Sequence, residues 1–328
     1  MRYLFVLFSF FSIPALSSAA EWEPMMADLL KAEKLGFGGL TGIVVDRQTG
    51  DVYAWLSDKG MMKSTDQAKT FKPLYLVKGR TEWPGCMQTN PVGPLKTWVI
   101  ALVYGAPILT SDDGEKFTPT DKKSVHVDWV AVDWSDPERK FLLTLKHESG
   151  DLLMASDDGG KSYRDVGKGY GPACIFDSKT AVAVQIIPGE PKKPAKRILS
   201  RTTDGAKTFE KVAEFSTKAM PVWYEKTPYW LVDGSIITSK DQGKTWESIA
   251  TIKNGTFGPI FGKDEKQMFV LTTAGVVSTT DGGATWTAPI APPKEMKGLG
   301  ALSWIGYDAK NDIVYLMKMG TDLYRLKR

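Results

Sequence analysis

The sequence predicts an all-β fold, a single seven-bladed β-propeller. Three observations predict it: a turn motif that occurs six times, a regular spacing between its copies, and strand-like segments that recur between them. The motif centres on six aspartates that follow one another at steps of 46, 46, 46, 37 and 40 residues. That period is typical of a four-stranded blade. Seven blades of about 44 residues occupy the predicted domain, residues 21–328.

Each turn follows the pattern Ser/Thr-x-Asp-x-Gly/Ala-x-Thr/Ser/Lys-aromatic. A short carboxylate accepts hydrogen bonds from backbone N–H groups one to three residues onward, which accounts for the aspartate. Glycine two residues later permits a positive φ, so the copies with Ala68 and Ala206 are expected to be looser. The closing aromatic side chain packs back over the turn and holds the next strand. The six aspartates are Asp66, Asp112, Asp158, Asp204, Asp241 and Asp281.

The segments between the turns repeat the strand order of a blade. Residues 42–46 and 52–55 are predicted as the first two strands of blade one, and residues 129–133 and 141–145 repeat this pattern. Blade seven carries only three predicted strands. Its fourth strand is predicted at Trp22-Glu23, which closes the ring and leaves no open sheet edge. A short amphipathic helix is predicted over residues 25–35.

The six turns resemble the Asp box, or bacterial neuraminidase repeat, of sialidases, sortilin-type receptors, tandem-propeller xyloglucan hydrolases and photosystem II assembly propellers. The stretch Val-Asp-Trp-Ser-Asp-Pro at 132–137 looks more like sortilin-type and xyloglucanase-type propellers. In these families the box joins the third and fourth strands on the face away from the ligand site. The resemblance therefore implies a structural role for the six aspartates. The Arg-Ile-Pro motif of sialidases is absent from the sequence, which disfavours sialidase activity.

Residues 1–20 are predicted to form a signal peptide that is cleaved after Ala20, because Arg2 precedes an apolar run and a small-residue end. This predicts a secreted or periplasmic protein. No later apolar run approaches the ~20 residues of a membrane span. The net charge of +4 is dispersed, which excludes nucleic acid as a predicted partner. A monomer is expected. A disulfide between Cys86 and Cys174 is chemically permitted, but two buried thiols are favoured.

Candidate ligand-binding residues lie in segments predicted to reach one mouth of the channel. Aromatic rings beside charged groups suit glycan binding, because rings stack on sugar faces and charged groups bind hydroxyls. These residues are Arg80, Trp83, His126, Trp129, Tyr170, Trp223, Tyr224 and Trp304. Glycoside hydrolysis requires two carboxylates about 5–9.5 Å apart. The candidates for that pair are Glu82, Asp128 and Glu225, although no local motif distinguishes them.

Four residues near the predicted mouth are of types that bind a soft metal ion such as copper(I). They are Cys86, His126, Cys174 and Met220. No paired Cys or His spacing accompanies them, so neither a metal nor a cofactor is predicted. His147 is interpreted as a hairpin-turn residue, and residues 188–197 as a projecting loop.

Taken together, the sequence predicts an exported, noncatalytic binding or assembly module whose ligand is a glycan or another exported protein. The alternative is a glycoside hydrolase that uses carboxylates at the mouth.

Overall fold

Seven β-sheets form the blades of a propeller, which confirms the predicted fold. The computed structural model describes residues 21–328 except 94, 190–194, 216 and 218. The predicted signal peptide therefore lies outside the described residues, as does the centre of the predicted loop at 188–197. Within the described residues, no helix combines the length and apolar character needed to cross a bilayer.

In chain order the strands are β1 (Glu23–Pro24), β2 (Leu40–Val45), β3 (Val52–Leu56), β4 (Gly60–Ser64), β5 (Lys72–Leu76), β6 (Gly79–Arg80), β7 (Met87–Thr89), β8 (Trp98–Ile100), β9 (Tyr104–Gly105), β10 (Leu109–Ser111), β11 (Thr118–Pro119), β12 (Val130–Val132), β13 (Leu142–Lys146), β14 (Leu152–Ser156), β15 (Arg164–Gly167), β16 (Tyr170–Ile175), β17 (Ala181–Ile187), β18 (Lys196–Thr202), β19 (Glu210–Ala213), β20 (Val222–Tyr224), β21 (Thr227–Val232), β22 (Ser235–Thr238), β23 (Glu247–Thr251), β24 (Gly255–Phe261), β25 (Met268–Thr272), β26 (Gly275–Thr279), β27 (Ser303–Asp308), β28 (Ile313–Lys318) and β29 (Leu323–Lys327). The helix α1 (Ala27–Ala32) lies inside the predicted range, and 3-10 turns occupy Lys122–Ser124 and His147–Ser149.

The blades follow the chain as antiparallel meanders. Blade one is β2–β5, blade two is β7, β8, β10 and β11, and blades three, four and five are β12–β15, β16–β19 and β20–β23. Blade six has the three strands β24–β26, extended by a bridge between Val276 and Ile290. Blade seven is β27–β29 with β1 at its outer edge. A separate pair, β6 with β9, lies above blade two.

The predicted closure of the ring by the N-terminal strand is confirmed. β1 pairs antiparallel with β29, where Glu23 lies opposite Arg325. The Arg325 guanidinium donates to the Glu23 carboxylate at 2.6 Å and to the Gln67 carbonyl of blade one at 2.7 Å. One side chain therefore joins the first strand, the last strand and the neighbouring blade.

Apolar side chains on both faces of each sheet pack against the adjacent blades. Tyr53 and Trp55 of blade one, for example, share a cluster with Trp98 and Ile100 of blade two. Trp55 and Trp98 are completely buried. Truncation of such a residue to alanine costs about 3–5 kcal/mol. The core therefore forms between blades and holds their inner strands around the channel.

The six motif turns come directly after the third strand of a blade, and the hydrogen bonds of five of them, all but the second, share one pattern. In the first turn Ser64 Oγ donates to Asp66 at 2.8 Å and accepts from the Ala68 N–H at 3.0 Å. Asp66 also accepts from the Thr70 N–H at 2.9 Å and the Thr70 hydroxyl at 2.6 Å. Ala68 adopts a φ of 64° and yet makes the same bonds as the glycine copies, so the expected looseness is not seen in its hydrogen bonds.

In the second turn the bonded acid is Asp113 rather than the predicted Asp112. Asp113 accepts from the Ser111 hydroxyl and from the N–H groups of Glu115 and Lys116. The Asp112 side chain is instead 82% exposed and pairs with Arg139. The reason is that Ser111, and not Thr110, is the first residue of this turn. The interval from that first residue to the closing aromatic residue is therefore one residue shorter than in the first turn.

Candidate functional site

The two ends of the propeller carry different connections. One end, here called the turn face, holds the motif turns and the hairpins between first and second strands. The other, here called the loop face, holds the connections from blade to blade and the turns between second and third strands, such as residues 147–151. This division follows from antiparallel pairing, because alternate connections of a meander lie at the same end.

The segment Thr81–Cys86, here called the mouth loop, crosses the loop face beside the channel. Its Cys86 N–H donates to the Trp83 carbonyl at 3.0 Å, and the Cys86 carbonyl accepts from the Ala101 N–H at 2.8 Å. Cys86 Sγ donates to the Asp128 carbonyl at 2.9 Å, which ties the loop to blade three. Gly85 has a φ of 109°, and an added Cβ there would lie 2.4 Å from Met220 Cγ. Glycine is therefore required at this crossing.

The mouth loop separates two cavities. The first, the channel cavity, has a volume of about 210 Å³ and lies between the inner strands of the ring. Trp83, Met87, Trp223 and Trp304 contribute to its walls. Its character is mainly apolar, and one nearby hydroxyl, that of Thr81, already donates to the Thr41 carbonyl at 2.9 Å.

The second, the side cavity, has a volume of about 250 Å³ and opens on the loop face over blades three and four. Trp83 and Met220 line both cavities. The other walls of the side cavity are mostly apolar, with five ionisable side chains. Its lining includes Asp128, Trp129, Leu145, His147, Asp151, Tyr170, Pro172, Ile186 and Arg197.

Asp128 lies deep in the side cavity and is bound by His147. It is 4% exposed. Its carboxylate accepts from the His147 N–H at 2.7 Å, and His147 Nδ1 lies 2.5 Å from its second oxygen. Burial raises the pKa of Asp128, the two bonds to His147 oppose that rise, and the charge of Glu82 adds to it. Both oxygens of this carboxylate are therefore already engaged.

The structure brings several predicted residues together on the loop face. Trp83, Asp128, Trp129 and Tyr170 share the side cavity. Trp223 and Trp304 line the channel cavity instead.

Tyr224 and Glu225 do not lie at the predicted mouth. Glu225 is an exposed residue with a φ of 52° in the hairpin between β20 and β21, which is a connection of the turn face. Tyr224 precedes it and lies under the Arg47 guanidinium, 4.8 Å from its ring centre. The reason is the shortness of β20, which ends at Tyr224 and reverses the chain at the turn face.

Arg80 and His126 form part of a row of side chains along the rim of the loop face. The Arg80 guanidinium lies 4.9 Å from the Phe37 ring and 5.9 Å from the Tyr104 ring. The Tyr104 and His126 rings are 6.1 Å apart. We call Phe37, Arg80, Tyr104 and His126 the rim row. Arg80 also pairs with Glu82 at 3.2 Å, so its charge is compensated and the row presents mainly aromatic surface.

The candidate glycosidase carboxylates do not form a free pair. Glu82 is bound by Arg80, and Asp128 by His147. Glu225 lies at the opposite face. A nucleophile and a general acid each need an accessible carboxylate oxygen. This geometry gives no support to hydrolysis.

The four candidate ligands of a soft metal are dispersed. Met220 packs in the core cluster of blades three and four, whereas Cys174 packs beside Trp230 in another. His126 lies on the rim, 3.9 Å from Glu148. Within the described ranges, no group of three or more His, Cys, Asp or Glu residues could hold a metal ion. Cys86 and Cys174 are free, buried thiols.

Sequence reasoning missed four residues of the loop face: Phe37, Tyr104, His147 and Arg197. The sequence predicts His147 in a hairpin turn and Asp128 near the mouth. Because both positions lie at the loop end of blade three, that shared location is the signal that brings the two residues together. Phe37 and Tyr104 lie in predicted connections, where an aromatic residue without a strand to cover it is a signal of exposure.

Solved structures with a similar fold are known. The structure described as YCF48 bound to D1 peptide superposes with a TM-score of 0.54 at 15% identity, covering 97% of this chain and 100% of that one. The extracellular domains of two putative hybrid two-component systems from B. thetaiotaomicron, BT4673 and BT3049, give TM-scores of 0.57 and 0.53 at 9% and 11% identity. They cover 93% and 89% of this chain, which spans 39% and 40% of theirs.

No protein-family model and no curated protein sequence matches the chain. The structural likenesses have low identity and show the fold alone, a β-propeller.

Proposed function

We propose that the protein is an exported, noncatalytic binding module whose loop face binds a segment of another exported protein. The proposal rests mainly on the distribution of exposed apolar side chains. Among the described residues, the large exposed hydrophobics are Phe37, Leu76, Val92, Tyr104 and Ile187. All except Val92 lie on the loop face. Exposed apolar groups concentrated at one face are typical of a protein interaction surface.

The rim row suits a protein partner. Phe37 is 72% exposed and Tyr104 is 42% exposed. Arg80 lies between their rings with its charge compensated by Glu82. Aromatic and arginine side chains contribute most of the binding free energy at many protein interfaces. A segment with apolar side chains would bury both rings without leaving a charge unpaired.

Two comparisons support this proposal by analogy of fold. The propeller YCF48 has been solved with a D1 peptide, and the two similar B. thetaiotaomicron structures are extracellular domains. Export of the present chain depends on the predicted signal peptide.

The test begins with affinity capture from the exported proteome and ends with measured binding of one identified partner by biolayer interferometry. We expect Tyr104→Ser to weaken that binding at least about tenfold, as for an interface hot spot. Val92→Ser on the turn face is the matched control and should leave it unchanged. Equal weakening by both variants contradicts the proposal. So does binding on a glycan array in the absence of any protein partner.

A further inference from the structure

Two charged side chains in the side cavity have no bonding partner among the described residues, unlike the other charged groups discussed above. Asp128 is bound by His147, and Arg80 is bound by Glu82. By contrast, Asp151 and Arg197 both line the side cavity, and within the described part of the chain neither has a hydrogen bond or ion pair from its side chain, to the other or to any third residue. The cavity thus offers one free carboxylate and one free guanidinium at separate places.

Most of the remaining lining is apolar, apart from Tyr170, Thr217 and the Asp128–His147 pair. Trp83, Trp129 and Leu145 face the same space as Ile186 and Met220. A cavity of about 150 Å³ lined by aliphatic and aromatic groups binds benzene. The side cavity, at about 250 Å³, has room for a ring or a branched aliphatic chain with a polar head attached.

From these three elements we infer that the side cavity is a binding site for a zwitterionic α-amino acid with a large apolar side chain. Arg197 binds the carboxylate of the ligand, since guanidinium and carboxylate groups form strong charge-assisted hydrogen bonds. Asp151 binds its ammonium group. The aromatic and aliphatic walls bind the side chain. This site is distinct from the rim row and does not depend on the proposed partner.

The side cavity distinguishes this ligand from its simpler analogues. A ligand with a carboxylate but no ammonium group would leave Asp151 partly desolvated and unpaired. A ligand with an ammonium group but no carboxylate would leave Arg197 partly desolvated and unpaired. Each loss costs a charge-assisted hydrogen bond. A zwitterion without an apolar side chain, such as glycine, would leave the apolar walls uncovered.

Isothermal titration calorimetry on the purified chain tests this inference with four probes: L-phenylalanine, 3-phenylpropionate, phenethylamine and glycine. We expect L-phenylalanine to bind at least about tenfold more tightly than the other three, the factor expected for one charged hydrogen bond. If phenylpropionate or phenethylamine binds as tightly as L-phenylalanine, or if none of the probes binds, the inference is overturned.

Two variants assign the groups. Arg197→Gln should remove the preference for L-phenylalanine over phenethylamine, and Asp151→Asn the preference over phenylpropionate. The matched controls are Lys196→Gln, whose side chain pairs with Glu214, and Glu148→Gln in the same turn as Asp151. Both controls should bind L-phenylalanine as the unaltered chain does. Thermal unfolding of every variant establishes that it is folded, and a folded Arg197→Gln with unchanged preference contradicts the assignment.

Discussion

Asp128 accepts hydrogen bonds from both the backbone N–H and the ring of His147, a residue 19 positions along the chain. The pair joins the start of the inner strand of blade three to the turn between its second and third strands. Because Asp128 is buried, its charge depends on these two bonds. The pair therefore fixes the floor of the side cavity.

We expect His147→Ala to lower the free energy of unfolding by about 1–3 kcal/mol, because it leaves a buried carboxylate oxygen without its partner. The loss should be larger at pH 7 than at pH 4. Burial raises the pKa of Asp128 even with His147 present, and removal of the ring raises it further, so the neutral acid dominates at low pH and needs no partner. Urea unfolding at both pH values measures the difference. Glu148→Ala, at an exposed neighbouring position, is the control, and an equal loss in both variants contradicts the assignment.

The second motif turn provides a test of register. We expect Asp113→Ala to lower the midpoint temperature of unfolding clearly more than Asp112→Ala does. Asp113 accepts three hydrogen bonds within the turn, whereas the exposed Asp112 pairs with Arg139 of blade three. Differential scanning calorimetry of both variants settles the order. A larger effect at Asp112 would instead support the sequence prediction that Asp112 is the bonded aspartate of this turn.

The motif aspartates predict a dependence of stability on pH. The backbone N–H and hydroxyl of Thr245 hold the pKa of Asp241 at about 2, below its ordinary value of 3.8. A carboxyl group with a lowered pKa stabilises the fold fully above its unfolded pKa, and this contribution is lost as pH falls towards 2. The destabilisation by Asp241→Asn, measured by urea unfolding, should therefore shrink between pH 5 and pH 2.5. A difference that stays constant over this range is the contrary result.

The two cysteines should be unreactive in the folded protein. Burial raises the pKa of the Cys86 thiol to about 12 and that of Cys174 well above its ordinary value, so almost no thiolate exists at pH 8. We expect Ellman's reagent to detect no thiol in the native chain and two thiols after unfolding in guanidinium chloride without reductant. Detection of none after unfolding would indicate a disulfide.

Features that depend on local chemistry were predicted from the sequence. The spacing of the motif turns predicts the blades, because each turn satisfies its own backbone donors whatever surrounds it. The strand at Glu23 follows from the count of strands in blade seven. The turns depend on residues that are close in sequence. The N-terminal strand depends on the requirement that a closed ring leave no sheet edge unpaired.

Features that depend on contacts between blades were not predicted. Ser111 and Thr110 both fit the first position of the second turn, and only the pairing of β10 with β11 selects Ser111. The position of Glu225 depends on β20 ending after three residues, which the hydrophobic pattern does not mark. Arg197 lines the side cavity because β17 pairs with β18 in the register that places it opposite Ile186.

The contact between Glu23 and Arg325 spans 302 residues of the chain. Loop closure over such a distance carries a high entropic cost, and contacts of this kind form late in folding. During synthesis β1 emerges before any blade is complete, whereas β29 emerges after the other six have been made. We therefore expect the earliest strand to be among the last to be placed, since blade seven has only three strands until β1 pairs with β29. Through Arg325, that single pairing would join the first strand, the last strand and blade one.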